Sequence, residues 1–146
     1  MSGLTLTDAT SIAQAALGAA RDGEIAPLCV TVLDAGGHVL VTMRDQRASL
    51  YRPAIATAKA AGCLGMGFGG REVARRAAAM PNFYTAVSTV TGGGLVPVAG
   101  GVLIRDAAGA LLGAIGISGD TSDNDELCAL AGIRAAGLIA DTGAVA

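Results

Sequence analysis

Tryptophan is absent from this 146-residue chain, histidine occurs once, and aromatic residues make up only 3% of it. A single histidine (His38) excludes a zinc centre built on several imidazoles. The three cysteines, Cys29, Cys63 and Cys128, form no CxxC pair and stand among apolar neighbours. They read as buried free thiols in a reducing, cytoplasmic compartment rather than as a disulfide framework. Charge is also sparse: 15% of residues are charged and the net charge is −2. Without a basic face, general nucleic-acid binding is excluded. No apolar run approaches the roughly 20 residues a membrane helix needs, so no membrane partner is expected. The N-terminal MSGLTLTDATS lacks the basic-then-apolar layout of a secretion signal.

What is abundant is small and apolar. Hydrophobic residues make up 52% of the chain, and there are 22 glycines. Small side chains let helices and sheets approach closely but bury little area each, which points to a homo-oligomer that completes its core through subunit contacts. The length suits a single domain over residues 1–146.

Along the chain, Thr7 is the expected N-cap of a helix reaching about Arg21, with Asp8 in its first turn and Ile12, Ala13, Ala16, Leu17 and Ala20 as one apolar stripe. LCVTVL, a DAGG turn and HVLVTM then predict a β-hairpin. The plan recurs as GVLIR, a DAAG turn and LLGAIGI. Between the hairpins, a helix is predicted from Pro53 through Ala61, with an end blurred by glycines, and a short helix from Arg71 to about Ala79. Residues 84–98 read as an irregular loop or a broken edge strand, and the last helix as running from Asp123 to Asp141. Hairpins imply an antiparallel sheet with helices packed on it, an α+β fold.

The segment GISGDTSDNDEL places four carboxylates within residues 120–126. As a calcium loop it fails: counted from Asp120, Asp125 stands where glycine is required, and Ala131 where the bidentate glutamate belongs. Ser122 and Asp125 have capping-box spacing, and acids at a helix start are favourable, so most of this cluster reads as a solvated cap. Ser118-Gly119, at the end of a buried strand, is the candidate ligand-facing turn. Gly65-Met66-Gly67 follows a helix pattern rather than a strand, so it is no dinucleotide fingerprint, and no phosphate loop is present. His38 reads as a surface or hydrogen-bonded side chain, or as the one axial ligand a haem iron needs. Lys59, on the apolar middle helix, either snorkels to a rim or points into a pocket. Arg44-Asp45 is a rim ion pair or a carboxylate clamp.

Five stretches in order, LTLTDATSIAQAAL, VTVLDAGGHVLVTMRD, IATAKAAGC, LVPVAGGVLIRD and LLGAIGISGDTSDNDELCALAGI, make the chain resemble the GlcG/HbpS-like family. Its members include haem-interacting proteins and the C-terminal domain of PduO-type proteins. The resemblance implies an α/β/α layered, profilin-like domain with a five-stranded antiparallel sheet, assembling into dimers and larger rings such as octamers. It also implies a pocket bordered by the Gly100-Gly101 turn, the Ser118-Gly119 loop and the helix carrying Lys59. The chain departs from the family pattern with Ala99-Gly100-Gly101 in place of Pro-Gly-Gly, and with Arg44-Asp45-Gln46-Arg47 in place of Met-Asp-Gly-Ala.

Two functional readings stand side by side. One is a small-ligand-binding protein taking haem or a related tetrapyrrole. The other is a metal-free, cofactor-free isomerase, tautomerase or lyase acting on an anionic small molecule. In it Lys59, Arg44 or Arg52 would hold an oxyanion, and Asp45, Asp120 or Glu126 would move the proton. A third reading, a scaffold whose oligomerisation is the function, needs no site.

Overall fold

The computed structural model describes residues 3–145. Helix α1 (Leu6–Asp22) leads into strands β1 (Cys29–Asp34) and β2 (Val39–Arg44). Helices α2 (Arg52–Met66), α3 (Gly70–Ala79) and α4 (Pro81–Val90) follow. Strands β3 (Gly101–Arg105) and β4 (Leu111–Ser118), helix α5 (Ser122–Ala135) and the short strand β5 (Ile139–Asp141) complete the chain.

All strand pairs are antiparallel, in the order β2-β1-β4-β3-β5. The two hairpins are therefore joined through their partners β1 and β4 at the middle of the sheet. Their turns are built alike. Asp34 accepts from the Gly36 and His38 N–H groups, and Asp106 accepts from those of Ala108 and Ala110. The left-handed residue each turn requires is a glycine, Gly37 at φ 85° and Gly109 at φ 87°.

Strand alternation sorts the core into two layers. Val30, Val32, Val102, Ile104, Ile115 and Ile117 face α1 and α5, where Ile12, Ala16, Ala129 and Ile133 meet them. On the other face Leu33, Leu103 and Ala114 meet Ala60 and Cys63 of α2. The result is the layered α+β domain that the hairpins imply. Helix α2 lies unusually close to the sheet because β3 and β4 present Gly101 and Gly116, paired across the ladder, at the contact. A Cβ at Gly116 would run into the Ala56 carbonyl oxygen, and one at Gly101 into the backbone of Lys59.

Four local expectations are corrected. Helix α1 is capped by Thr5, not Thr7. The Thr5 hydroxyl accepts from the Asp8 N–H at 3.1 Å and Asp8 reaches back to the Thr5 N–H, a reciprocal box that places Thr7 inside the helix. Residues 81–90, expected in part as loop, form α4, started by Pro81 and held by burial of Tyr84 against Val73 and Leu95. The last helix stops at Ala135, because Gly137 at φ 72° turns the chain into β5. Its cap is Thr121, which accepts from the Asn124 N–H, and not Ser122. The three cysteines are buried and free, and burial pushes the Cys63 thiol up to about 12. No helix is long and apolar enough to cross a membrane among the described residues.

Candidate functional site

Lys59 lies on the buried stripe of α2 with Ala56, Ala60 and Cys63, and only 5% of it is exposed. An ammonium in that position requires partners. Its Nζ donates to the Ile117 carbonyl at 2.8 Å and to Asp125 Oδ2 at 3.1 Å. Gly100, in a left-handed conformation at φ 112°, lies directly over it: a Cβ there would stand 2.9 Å from Nζ. Asp125 is 1% exposed, and its other oxygen accepts from the Asp120 N–H at 2.9 Å. Burial raises the Asp125 carboxyl above the usual carboxylate range, against the lowering pull of the Asp120 N–H and of Lys59.

Asp120 in turn holds the neighbouring loop. It accepts from the Ala26 N–H at 2.7 Å, the Thr121 N–H at 2.7 Å and the Asn124 amide at 2.8 Å, which keep its carboxyl below the ordinary value. Gly119 packs against Pro27 and Leu28, so a side chain there would overlap the chain rather than reach open space. Ser118 is 1% exposed and accepts from Arg52 Nη1 at 3.0 Å, and Arg52 also reaches Ser49. The structure thus brings Lys59, Asp120, Gly100, Ser118 and Gly119 around the end of β4. They are locked to one another there, with Gly101 buried beneath α2.

The remaining predicted residues stand apart. Glu126 is clasped by Arg71 of α3, which donates from Nε to Oε1 at 3.0 Å and from Nη2 to Asp123 at 2.9 Å. Arg44 donates from Nη1 to the carbonyls of Asp45, Gln46 and Ala48, tying down the loop after β2. Asp45 takes a two-pronged bond from Arg47, at 3.1 and 3.0 Å, which holds its carboxyl at about 2. With Arg21 and Glu24 these residues line a cleft of about 560 Å³ between the end of α1 and that loop. His38 sits at the tip of the first hairpin with its side chain 81% exposed and its Nδ1 3.2 Å from Asp34 Oδ1. The acids expected to move protons are held in three separate networks, so the proton-transfer enzyme is not favoured by this geometry.

Asp125 and Arg71 were missed as partners. Asp125 looked like a cap because its neighbours are acidic. A signal was present, however: Asp125, Cys128, Ala129, Gly132 and Ile133 form the buried stripe of α5, so its carboxylate had to point inward.

The depressed Asp45 carboxyl has a consequence in acid. It holds its proton less tightly in the folded chain than in the unfolded one, so its stabilisation is present at neutral pH. That stabilisation is lost as the pH falls from about 4 to about 2. The urea midpoint of Asp45→Asn is expected to fall less than that of the native chain between pH 5 and pH 2.5.

A groove runs along the exposed side of α2. Pro53, Ala54, Thr57 and Ala61 face Thr42 and the Thr91–Gly94 loop across about 420 Å³. The groove continues for about 280 Å³ past Gly65, Met66, Val87 and Leu95. The Thr57 and Thr42 hydroxyls both lie 3.1 Å from that of Thr31.

Helices layered on a five-stranded antiparallel sheet of this order define the class of domain, and solved structures share it. One described as a PduOC:heme complex superposes with a TM-score of 0.83 at 27% identity, covering 94% of this chain and 97% of that one. A structure of HbpS superposes with a TM-score of 0.78 at 32% identity, over 92% and 90% of the two chains. The Klebsiella pneumoniae protein ORFY shares the fold, with a TM-score of 0.80 at 24% identity over 92% and 90%. No curated protein is similar enough to match. Residues 4–134 match the family described as haem degrading protein HbpS-like, and the chain belongs to that family.

Proposed function

We propose that this protein is a small-ligand-binding member of its family that takes haem or a related anionic tetrapyrrole, with the α2 groove receiving the macrocycle. The observation that carries this reading is the groove itself, walled by Pro53, Ala54, Thr57 and Ala61 of α2 on one side and by Thr42 and the Thr91–Gly94 loop on the other. Small side chains leave room for a flat ring, and apolar walls remove it from water. Family membership and the similarity to a haem complex support it.

The chain's imidazole fits an axial ligand in chemistry. Asp34 lies within hydrogen-bond distance of Nδ1, which favours the tautomer that keeps the proton there and leaves Nε2 for a metal. In this proposal His38, which projects from a hairpin tip, serves a groove in an adjoining copy. A homo-oligomer is part of the proposal, supported by the exposed Leu50, Tyr51 and Val90 (82%, 72% and 86% exposed), close in sequence to the groove residues Pro53 and Thr91. Bound haem would supply its iron chemistry; the chain supplies the apolar wall and the oriented imidazole.

The test is a haem titration followed in the visible. A saturable, stoichiometric Soret band is expected for the native chain. Ala61→Trp, which fills the groove, should weaken binding at least tenfold, and His38→Ala should abolish the sharp band. Absence of saturable binding by the native protein would overturn the reading.

A further inference from the structure

The cleft of about 560 Å³ between the end of α1 and the loop after β2 shares no residue with the α2 groove. Three of the chain's ten lysine and arginine residues line it: Arg21, Arg44 and Arg47. The carboxylates facing them are Glu24 and Asp45. Three guanidinium groups against two carboxylates leave the cleft with a formal excess of one positive charge, in a chain whose net charge is −2.

These charges are not equivalent. Arg47 is engaged by Asp45 through both Nε and Nη2. Arg44 gives only Nη1 to the three loop carbonyls. That clamp fixes the guanidinium plane, and among the described residues its Nε and Nη2 donate to no protein atom. Arg21 makes no ion pair or side-chain hydrogen bond among the described residues. It stands close enough to Asp45, however, to help hold that carboxyl low. A cation in the last turn of α1 complements the helix dipole, but that does not account for a second guanidinium with unused donors on the same cleft.

Both walls are fixed by backbone bonds. On the α1 side the Ile25 N–H donates to the Ala20 carbonyl at 2.9 Å, and Asp120 holds the Ala26 N–H at 2.7 Å. On the loop side the Asp45 N–H donates to the Leu28 carbonyl at 3.0 Å, and the Ala48 N–H to the Asp45 carbonyl at 2.9 Å. Leu17, Ala20 and Ile25, at the edge of the core under α1, add an apolar wall together with Pro27. A preformed cleft with apolar walls and a few charged donors is the usual form of a small-molecule site.

We propose that this cleft binds a small amphipathic monocarboxylate, with its carboxylate between Arg21 and Arg44 and its hydrocarbon body on Leu17, Ile25 and Pro27. The carboxylate takes guanidinium donors that no protein group uses, and its single charge balances the excess of one. Asp45 on Arg47 is the same pairing, already made within the cleft. The apolar wall selects an acid with a hydrocarbon chain over a bare anion. Because no residue is shared with the α2 groove, failure of either site leaves the other standing.

The probe is hexanoate, titrated into the 146-residue chain and followed by amide NMR, with acetate, inorganic phosphate and hexylamine as comparisons. Saturable shifts are expected in residues 20–28 and 44–48 and not along α2. Hexanoate should bind roughly tenfold tighter than acetate or phosphate, which leave the apolar wall uncovered, and hexylamine should not saturate. Arg21→Gln breaks no bond within the protein, so the fold should persist, and it should weaken hexanoate roughly tenfold. Glu24→Gln removes a repelling charge and should tighten binding about twofold. Changes in opposite directions mark an ionic site, since adsorption to an apolar patch would respond to neither. No saturable binding of hexanoate, equal binding of acetate, phosphate or hexylamine, or an affinity unchanged in Arg21→Gln would overturn the assignment.

Discussion

Replacing Lys59 by methionine is expected to destabilise the fold by about 3–5 kcal/mol, the range for breaking a buried ion pair from one side. The size follows from what is left behind. Methionine replaces the aliphatic stem of lysine, so little packing is lost. Asp125, however, remains 1% exposed with its Oδ2 unpartnered, and the Ile117 carbonyl loses its donor at the end of β4. The cost depends on pH in a definite direction. Burial already raises the Asp125 carboxyl, and removing the ammonium raises it further. In acid the group is protonated and neutral in the folded variant, and the penalty is small. As the pH rises through the ordinary carboxylate range the unfolded chain ionises first, and folded-state stability falls. Urea denaturation should therefore show a larger deficit for Lys59→Met at pH 8 than at pH 4. Lys59→Met combined with Asp125→Leu should recover most of the loss, because removing both charges leaves none buried alone. A single variant as stable as the native chain at both pH values would mean that the pair is solvated in solution.

The same pair shows where the sequence is readable and where it is not. Both hairpins were legible because alternation, Asp-initiated turns and glycine coincide in each. The middle helix was legible from Pro53 and its alanine stripe. What escaped depends on partners distant in the chain. Lys59 could be placed on an apolar face, but its choice between rim and interior turns on Asp125, 66 residues away. Helix α4 was obscured by Thr85, Val87, Thr89 and Val90, whose β-branched side chains lower helix propensity, and by the glycines that follow. Only the packing of Tyr84 against α3 outweighs that local preference. The end of α5 was misjudged because Leu138, Ile139 and Ala140 continue an apolar pattern that suits either a helix or an edge strand. Gly137 decides it. At the candidate site, Ser118, Gly100 and Lys59 meet and are locked together, where the family resemblance implies a pocket between them. Clefts lie elsewhere, beside the Arg44–Asp45 loop and along α2, and the second is formed by small side chains that carry no motif.

The closeness of α2 to the sheet sets the second large expectation. Gly116→Ala should cost about 3 kcal/mol, the upper part of the usual range for overpacking, and yield a poorly soluble chain. A methyl group at residue 116 would meet backbone, not a side chain that can swing aside. It overlaps the Ala56 carbonyl oxygen and comes within 2.8 Å of the Ala60 nitrogen, both inside one turn of α2. Relief requires the whole helix to move off β4, which would also stretch the Lys59 hydrogen bond to Ile117 in the same strand. The strain and the ion pair are therefore coupled. Gly116→Ala combined with Lys59→Met should destabilise by less than the sum of the two single changes, since a lifted helix has already weakened the bond that methionine removes. Gly65→Ala provides the control within α2: nothing stands within 4 Å of its Cβ position, and exchanging glycine for alanine inside a helix is expected to add about 0.5–1 kcal/mol. If chemical denaturation finds Gly116→Ala as stable as Gly65→Ala, α2 does not rest on the glycine track of β3 and β4, and the small-residue contact fails as the reason the helix sits so close.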